Sequence, residues 1–102
     1  MSTAQKVKEL IANNKVMVFS KSYCGFCASV KSKLQSIGVT PTVVELDVVS
    51  DGAAMQAELL ALTGQRTVPN VFVNGRHIGG NDVTTQKIND GSLQQLLQGT
   101  EL

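Results

Sequence analysis

Residues 70–79, with the sequence NVFVNGRHIG, constrain the fold of this chain more than any other segment. Two short apolar runs are separated there by Asn74-Gly75, a dipeptide that readily adopts the left-handed conformations of a two-residue hairpin turn. We therefore predict two antiparallel strands, residues 70–73 and 76–79. Any fold proposed for the chain has to contain this hairpin.

Upstream of the hairpin, the spacing of apolar residues changes repeatedly between the helical period and short buried runs. Residues 16–19 and 42–48 have the pattern of strands, and each run lies between segments with helical spacing. We predict helices over residues 4–13, 24–37, 53–64 and 82–89 and from residue 92 onward, with Met55, Leu59 and Leu62 facing inward, Gly64 as a C-cap, and Asp82 and Ser92 as N-caps.

This order of elements predicts an α/β fold. Strands that are separated by helices favour parallel pairing, and the hairpin adds an antiparallel pair at one edge. We therefore predict a mixed four-stranded sheet with helices on both faces. A chain of 102 residues has the length of one domain, and we predict a single domain over residues 1–102.

Composition restricts the partners and the location that we expect. The formal net charge is +1, so no strong positive field is available to attract nucleic acid. No apolar run approaches the roughly 18 residues needed to cross a bilayer. Residues 1–10 also lack the apolar core of a secretory signal. We therefore expect a cytoplasmic protein that binds neither nucleic acid nor membrane.

The two cysteines, Cys24 and Cys27, follow the first predicted strand directly and lie at the start of a helix. Free N–H groups and the helix dipole stabilise a thiolate at Cys24, and Lys21 adds a positive charge nearby. Cys27 lies one turn further along, on the apolar face. Side chains at this spacing come within range of a disulfide, which closes too short a loop to stabilise the fold much. The pair therefore predicts redox chemistry, in which Cys24 attacks and Cys27 resolves the mixed disulfide.

Other uses of two cysteines are less favoured. A structural zinc site takes about four ligands, whereas the chain has two Cys and a single His, His77. Zinc within one chain is therefore not expected, but a metal or cluster shared by two chains stays open. A Cys–His hydrolase is not favoured either, because no carboxylate is marked as orienting His77, which we expect to be solvated or packed.

Two segments beside the hairpin have features of a binding site. If the Val68–Pro69 bond is cis, the backbone of Val68 becomes available to an extended, peptide-like ligand. An ordinary turn proline is an equally good interpretation. The glycine pair of residues 79–80 leads into a helix, where bare N–H groups suit a carboxylate. A plain strand-to-helix turn is the more common explanation of such a pair.

Taken together and in this order, the segments KSYCGFC, TVP, VFVNG and IGG resemble the glutaredoxin family over about residues 7–97. The thioredoxin family is the nearest alternative, but it usually carries Trp before Cys-Gly-Pro-Cys, and this chain has no Trp. The resemblance implies a thioredoxin fold and a glutathione-dependent reductase of protein–glutathione mixed disulfides and small disulfides. The implied partners are glutathione and proteins that are glutathionylated or carry disulfides.

The resemblance also implies roles for individual residues. Cys24 would carry the glutathione adduct, and Cys27 would be the resolving thiol. The implied glutathione-binding residues are Lys21 and Gln56 at the glycyl carboxylate, Thr67 and Val68 beside cis-Pro69 at the cysteinyl backbone, Gly80, Asn81 and Asp82 at the γ-glutamyl end, and Tyr23 along the groove.

Two positions depart from the pattern of many dithiol members. Gly25-Phe26 stands where they have Pro-Tyr, as in the single-cysteine branch that handles iron–sulfur clusters, and Val83 stands where they often have a polar or acidic residue. Because glycine leaves room for a second subunit, the resemblance implies an alternative function. Cys24 and one glutathione from each of two chains would hold a [2Fe–2S] cluster. We expect a monomer as reductase and a homodimer with the cluster.

Overall fold

The structure is a computed structural model that describes residues 2–99. Residue 1 and residues 100–102, which belong to the predicted domain, lie outside the described residues. The strands are β1 (Val16–Ser20), β2 (Thr42–Glu45), β3 (Asn70–Val73) and β4 (Arg76–Gly79). They form one sheet in the order β2-β1-β3-β4, in which β1 pairs in parallel with β2 and antiparallel with β3.

Helices cover both faces of this sheet. Within residues 2–99 they are α1 (Thr3–Asn13), α2 (Gly25–Ser36), α3 (Gly52–Thr63), α4 (Asn81–Asn89) and α5 (Ser92–Leu97). One apolar cluster joins α1 and α3 to the sheet, and a second joins α2, α4 and α5 to its other face. The predicted fold class is confirmed. None of these helices is long and apolar enough to span a membrane.

The inner strand β1 is buried along its whole length. Met17 and Phe19 belong to the cluster with α1 and α3, whereas Val16 and Val18 belong to the cluster on the other face. Because both faces are covered, the strand reads as a continuous apolar run. Ser20, at its carboxyl end, is fully buried as well. The chain therefore leaves the sheet at a fixed place, directly before the cysteine pair.

The hairpin is confirmed, with Asn74 and Gly75 at φ values of 50° and 80°. The expectation that helix-separated strands pair in parallel is wrong for β3, which runs antiparallel to β1 although α3 precedes it. The chain leaves α3 in a left-handed conformation at Gly64 (φ 76°) and returns to the carboxyl end of β1, where Asn70 pairs with Phe19. The segment before β3 thus meets the segment after β1.

Two predictions about buried segments are wrong. The second strand ends at Glu45 rather than at residue 48, because the N–H groups of Val48 and Val49 turn back to the Glu45 carbonyl. Leu62, predicted to face inward, is 44% exposed. It lines an open groove beside α1 and the hairpin, whereas the inward positions of α3 are Met55 and Leu59, as predicted.

Two predicted N-caps are also wrong. Gly80, not Asp82, is the N-cap of α4, and its carbonyl accepts the first helical bond from the Thr84 N–H. Gly91, not Ser92, is the N-cap of α5. The chain passes there through a left-handed conformation (φ 84°) that glycine adopts without strain.

The start of α3 lies against the end of β2. A Cβ built on Gly52 would lie 1.7 Å from the carbonyl oxygen of Leu46, so only glycine permits this approach. The residue before it, Asp51, forms an ion pair with Lys6 of α1 at 2.9 Å. The loop of residues 46–51 is therefore fixed between the sheet and two helices.

Candidate active site

The cysteine pair lies at the start of α2, as predicted. Cys24 is the N-cap residue and is partly exposed, and its Sγ accepts a hydrogen bond from the Cys27 N–H at 3.3 Å. The sulfur occupies the place where an N-cap oxygen usually satisfies a free helical N–H. The helix dipole also favours an anion at this position. Negative charge on the Cys24 sulfur is therefore stabilised by the backbone of α2.

Cys27, in the first turn of α2, is fully buried. Burial raises the pKa of the Cys27 thiol, and a hydrogen bond with the Cys24 side chain raises it further. Hydrogen bonds to its sulfur from the Lys21 backbone and the Ser20 hydroxyl act in the opposite direction and are smaller. The two free thiols therefore differ in access, since Cys24 is partly exposed and Cys27 is buried, as an attacking and a resolving cysteine require.

Asp47 holds the loop that precedes Cys24. The Ser22 N–H donates to Asp47 Oδ1 at 2.9 Å, and the Ser22 hydroxyl donates to Oδ2. These two bonds hold the pKa of Asp47 below its ordinary value, with a smaller contribution from the charge of Lys21. Asp47 was not predicted as a site residue, because its segment reads as part of the second strand.

The segment around Val68 lies directly beside the cysteines. The Val68–Pro69 peptide bond is cis, and the Val68 carbonyl accepts a hydrogen bond from the Cys24 Sγ at 3.8 Å, across 44 positions of sequence. Gln65 holds this segment, since its Nε2 donates to the carbonyls of Thr67 and Pro69, each at 3.0 Å. No feature of the sequence marks Gln65 for this role.

A groove of about 370 Å³ extends from this segment to the start of α4. The first-turn N–H groups of a helix have no partner within the helix, so this end of the groove suits a carboxylate. The buried Oδ1 of Asn81 also has no hydrogen-bond partner. The groove is lined by Phe26, Thr67, Val68, Pro69, Gly80, Asn81, Asp82 and Val83.

Six of the predicted binding residues line this groove, and three do not. Tyr23 is 75% exposed at the surface beside Cys24. The Gln56 amide already donates from Nε2 to the Arg66 carbonyl at 2.9 Å. Lys21 is partly buried, and its charge acts on Asp47. The roles of all nine residues stay predictions.

Phe26 and Val83 line the groove without having been predicted as site residues. Phe26 stands between the two cysteines, so its position in the sequence could have identified it as a site residue. Val83 comes directly after the residues that were predicted to bind the γ-glutamyl end. Its side chain lies close to Gly79, where an added Cβ would be 3.3 Å from the Val83 Cβ. Both side chains are exposed and give this part of the groove an apolar surface.

His77 lies apart from this groove, on β4. Its Nε2 is 2.9 Å from the Oδ1 of Asn70, and burial holds the pKa of the imidazole below its ordinary value. Its ring also packs against Phe72, with 5.2 Å between the ring centroids. The hydrogen-bond partner is thus an amide and not a carboxylate. The residue is exposed overall, and its ring contacts Phe72.

Comparison with known proteins identifies the family. Residues 16–78 match the family model described as Glutaredoxin. A glutaredoxin from Ricinus communis is 55% identical over 92 residues, which cover 90% of this chain and 90% of that protein. This chain belongs to the glutaredoxin family. Glutaredoxin-C2 from Arabidopsis thaliana is 52% identical over 93 residues, which cover 91% of this glutaredoxin and 84% of the relative.

Solved glutaredoxin structures match the whole fold. A complex of buckwheat glutaredoxin with glutathione has a TM-score of 0.92 and 48% identity, covering 95% of this chain and 88% of that chain. The holo form of glutaredoxin C1 from Populus tremula x tremuloides has a TM-score of 0.91 and 46% identity, covering 95% and 96%. The thioredoxin fold is confirmed, and this glutaredoxin is a thiol–disulfide oxidoreductase whose Cys24–Cys27 spacing fits a two-cysteine active site.

Proposed function

We propose that this glutaredoxin reduces protein–glutathione mixed disulfides and small disulfides, with glutathione as the electron donor. The observation that supports this most is the position of the Cys24 sulfur. It lies at the N-terminus of α2, is partly exposed, and contacts Val68 at one end of the groove. A tripeptide that binds along the groove would therefore have its own sulfur beside Cys24.

The proposed reaction begins when the Cys24 thiolate attacks the glutathione sulfur of a mixed disulfide. The protein thiolate leaves and takes a proton from solvent, while a new disulfide joins Cys24 to glutathione. A second glutathione thiolate then attacks the bound glutathione sulfur, which releases glutathione disulfide and regenerates the Cys24 thiolate. In the alternative route Cys27 attacks the Cys24 sulfur and releases reduced glutathione.

We also propose that the predicted residues bind glutathione. The first turn of α4, with Asn81 and Asp82, suits the γ-glutamyl end, because free N–H groups bind its carboxylate and the Asp82 carboxylate attracts its ammonium group. Val68 would pair with the cysteinyl backbone, and Lys21 and Gln56 would meet the glycyl carboxylate. The buckwheat relative that was crystallised with glutathione supports this choice of ligand.

Replacing Cys27 by Ser tests the proposed reaction. We expect the variant to keep at least about half of the wild-type rate on a glutathionylated peptide, because the route through a second glutathione needs only Cys24. The same variant should lose most of its ability to reduce a disulfide within a protein, which requires two thiols in sequence. The rates are measured by coupling glutathione disulfide formation to NADPH oxidation by glutathione reductase. Equal loss on both substrates would contradict the one-thiol route.

A second candidate function is the binding of a [2Fe–2S] cluster between two chains. Among residues 2–99 there is no set of three or more His, Cys, Asp or Glu side chains that could hold a metal ion. A cluster would therefore need Cys24 and a glutathione thiolate from each chain. The open surface beside Cys24 supports this candidate, since a Cβ on Gly25 would meet nothing within 4 Å, and Phe26 is 66% exposed. Such a cluster supplies electron transfer or is itself the cargo.

Anaerobic reconstitution with iron, sulfide and glutathione tests the cluster candidate. A brown protein that elutes as a dimer, and that loses its colour in a Cys24→Ser variant, is the expected result if two chains share a cluster. The absorption spectrum and gel filtration provide the measurements. A colourless monomer would exclude this candidate and leave the reductase.

We further propose that the protein works in the cytoplasm, as a monomer when it acts as a reductase. Its partners would be proteins that carry glutathione adducts or accessible disulfides. The apolar surface that Tyr23 and Phe26 expose beside Cys24 supports a protein partner.

A further inference from the structure

The side-chain amide of Gln65 joins the two carbonyl groups on either side of Val68. Its Nε2 donates to the Thr67 carbonyl and to the Pro69 carbonyl, each at 3.0 Å. A side-chain NH₂ group has two protons, and both are used here on one short segment. The Val68 carbonyl is not part of this arrangement and accepts from the Cys24 Sγ at 3.8 Å. The amide therefore holds the flanking carbonyls while the Val68 carbonyl faces the cysteine.

Gln65 is itself attached to the end of α3. Its backbone N–H donates to the Thr63 Oγ1 at 3.0 Å, and the Thr63 hydroxyl donates to the Leu59 carbonyl at 2.7 Å. Leu59 is an inward residue of α3 and is almost fully buried. The backbone of Gln65 is therefore fixed to a helix that is packed on the core, which limits where its amide can lie.

The same amide lies close to the other side of the groove. That side is formed by the start of α4, where Gly80 is the N-cap. A Cβ built on Gly80 would lie 3.6 Å from the Pro69 carbonyl oxygen and 3.8 Å from the Gln65 Nε2. Gln65 itself does not line the groove, but its amide lies where the Val68 segment and the start of α4 approach each other.

The orientation of the Val68 backbone depends on this amide. A backbone carbonyl that loses its partner away from solvent is costly, and Pro69 is buried. Without the amide, we expect the two flanking carbonyls to turn toward other donors, and this would rotate the Val68 peptide groups between them. An extended ligand pairs with a backbone edge only where the N–H and C=O groups of that edge point toward it.

We propose that Gln65 is a positioning residue for glutathione, which holds the Val68 backbone in the orientation that pairs with the tripeptide. This inference rests on the glutathione binding of the proposed function. It assigns Gln65 no contact with the reacting sulfur atoms. The Cys24 sulfur keeps its place at the N-terminus of α2 without Gln65, so its reactivity toward a disulfide that carries no peptide should not change.

Replacing Gln65 by Met tests this role, because it removes both N–H donors, keeps a side chain of similar length and adds no charge. Titration of the reduced protein with glutathione, followed by the NMR signal of the Val68 amide, measures binding. We expect the dissociation constant to rise by about tenfold. Gln94→Met is a matched control, since Gln94 of α5 donates from its Nε2 to the Ile88 carbonyl at 3.1 Å and lies outside the groove. It should bind glutathione as the wild type does.

Kinetics provide a second measurement. In the NADPH-coupled assay with a glutathionylated peptide, Gln65→Met should raise KM by about tenfold and change kcat by less than about twofold, because binding is lost and the attacking sulfur is unaltered. An aromatic disulfide that releases a coloured thiolate carries no peptide. In stopped flow, its reaction with Cys24 should keep the wild-type rate in Gln65→Met.

Equal slowing of Gln65→Met with both disulfides would show a general structural role and overturn the inference. Glutathione binding at wild-type strength in this variant would overturn it as well, and so would an equal loss of binding in Gln94→Met or a wild-type protein that does not bind glutathione. If Gln65→Met alone binds glutathione more weakly, but the wild type does not reduce glutathionylated peptides, the proposed function fails and the role of Gln65 stands.

Discussion

Replacing Cys24 by Ser should abolish the reduction of glutathionylated peptides, with a loss of turnover of about 1,000-fold or more. The serine hydroxyl is not ionised at neutral pH and cannot form the disulfide that carries glutathione through the reaction. No other thiol can replace it, because Cys27 is fully buried and its pKa is raised. The NADPH-coupled assay measures this loss directly.

The same variant is expected to fold normally. Serine is a preferred N-cap residue, and its oxygen can accept the Cys27 N–H that the Cys24 sulfur accepts in the wild type. Thermal unfolding should therefore give a Tm equal to or slightly above that of the wild type. An active Cys24→Ser protein together with an inactive Cys27→Ser protein would reverse the roles of the two cysteines.

Replacing Gly52 by Ala should destabilise the protein by about 3–5 kcal/mol, more than overpacking usually costs. The added Cβ would lie 1.7 Å from the Leu46 carbonyl oxygen. That oxygen belongs to the backbone and the Cβ is fixed on its own Cα, so no side-chain rotation can relieve the contact. The start of α3 or the end of β2 has to move. For a chain of this size the Tm should fall by roughly 15 °C or more.

Gly25 provides a matched control for this substitution. It is the first residue of α2, as Gly52 is the first residue of α3. A Cβ on Gly25 would meet nothing within 4 Å. Gly25→Ala should therefore change the free energy of unfolding by less than about 1 kcal/mol. If the two variants unfold at the same temperature, the close approach at Gly52 does not contribute to stability as we infer.

The sequence was sufficient to predict the elements that depend on local patterns. The apolar period located the strands and helices that the structure describes in residues 2–99, and Asn74-Gly75 located the hairpin, because a two-residue turn depends on its own dihedral angles. The N-cap position of Cys24 was accessible in the same way. A strand pattern that is followed directly by helical spacing predicts a helix N-terminus at that point. The positive end of the helix dipole there stabilises a thiolate.

Features that depend on distant contacts could not be predicted. The direction of β3 depends on where the chain leaves α3. The exposure of Leu62 depends on how closely α1 and the hairpin pack against α3, and they leave an open groove there. The contributions of Asp47 and Gln65 are hydrogen bonds to a neighbouring loop segment, made by ordinary polar side chains with no motif.

The loop of residues 46–51 sets a limit on how this enzyme can change in length. Connections at a protein surface usually tolerate inserted or deleted residues. Here the Leu46 N–H donates to the Ser20 carbonyl, the Asp47 carboxylate holds the turn before the nucleophile, and Asp51 pairs with α1. One residue more or fewer would shift the anchor of Cys24 relative to the groove. Loop length at this place is thereby tied to the position of the nucleophile.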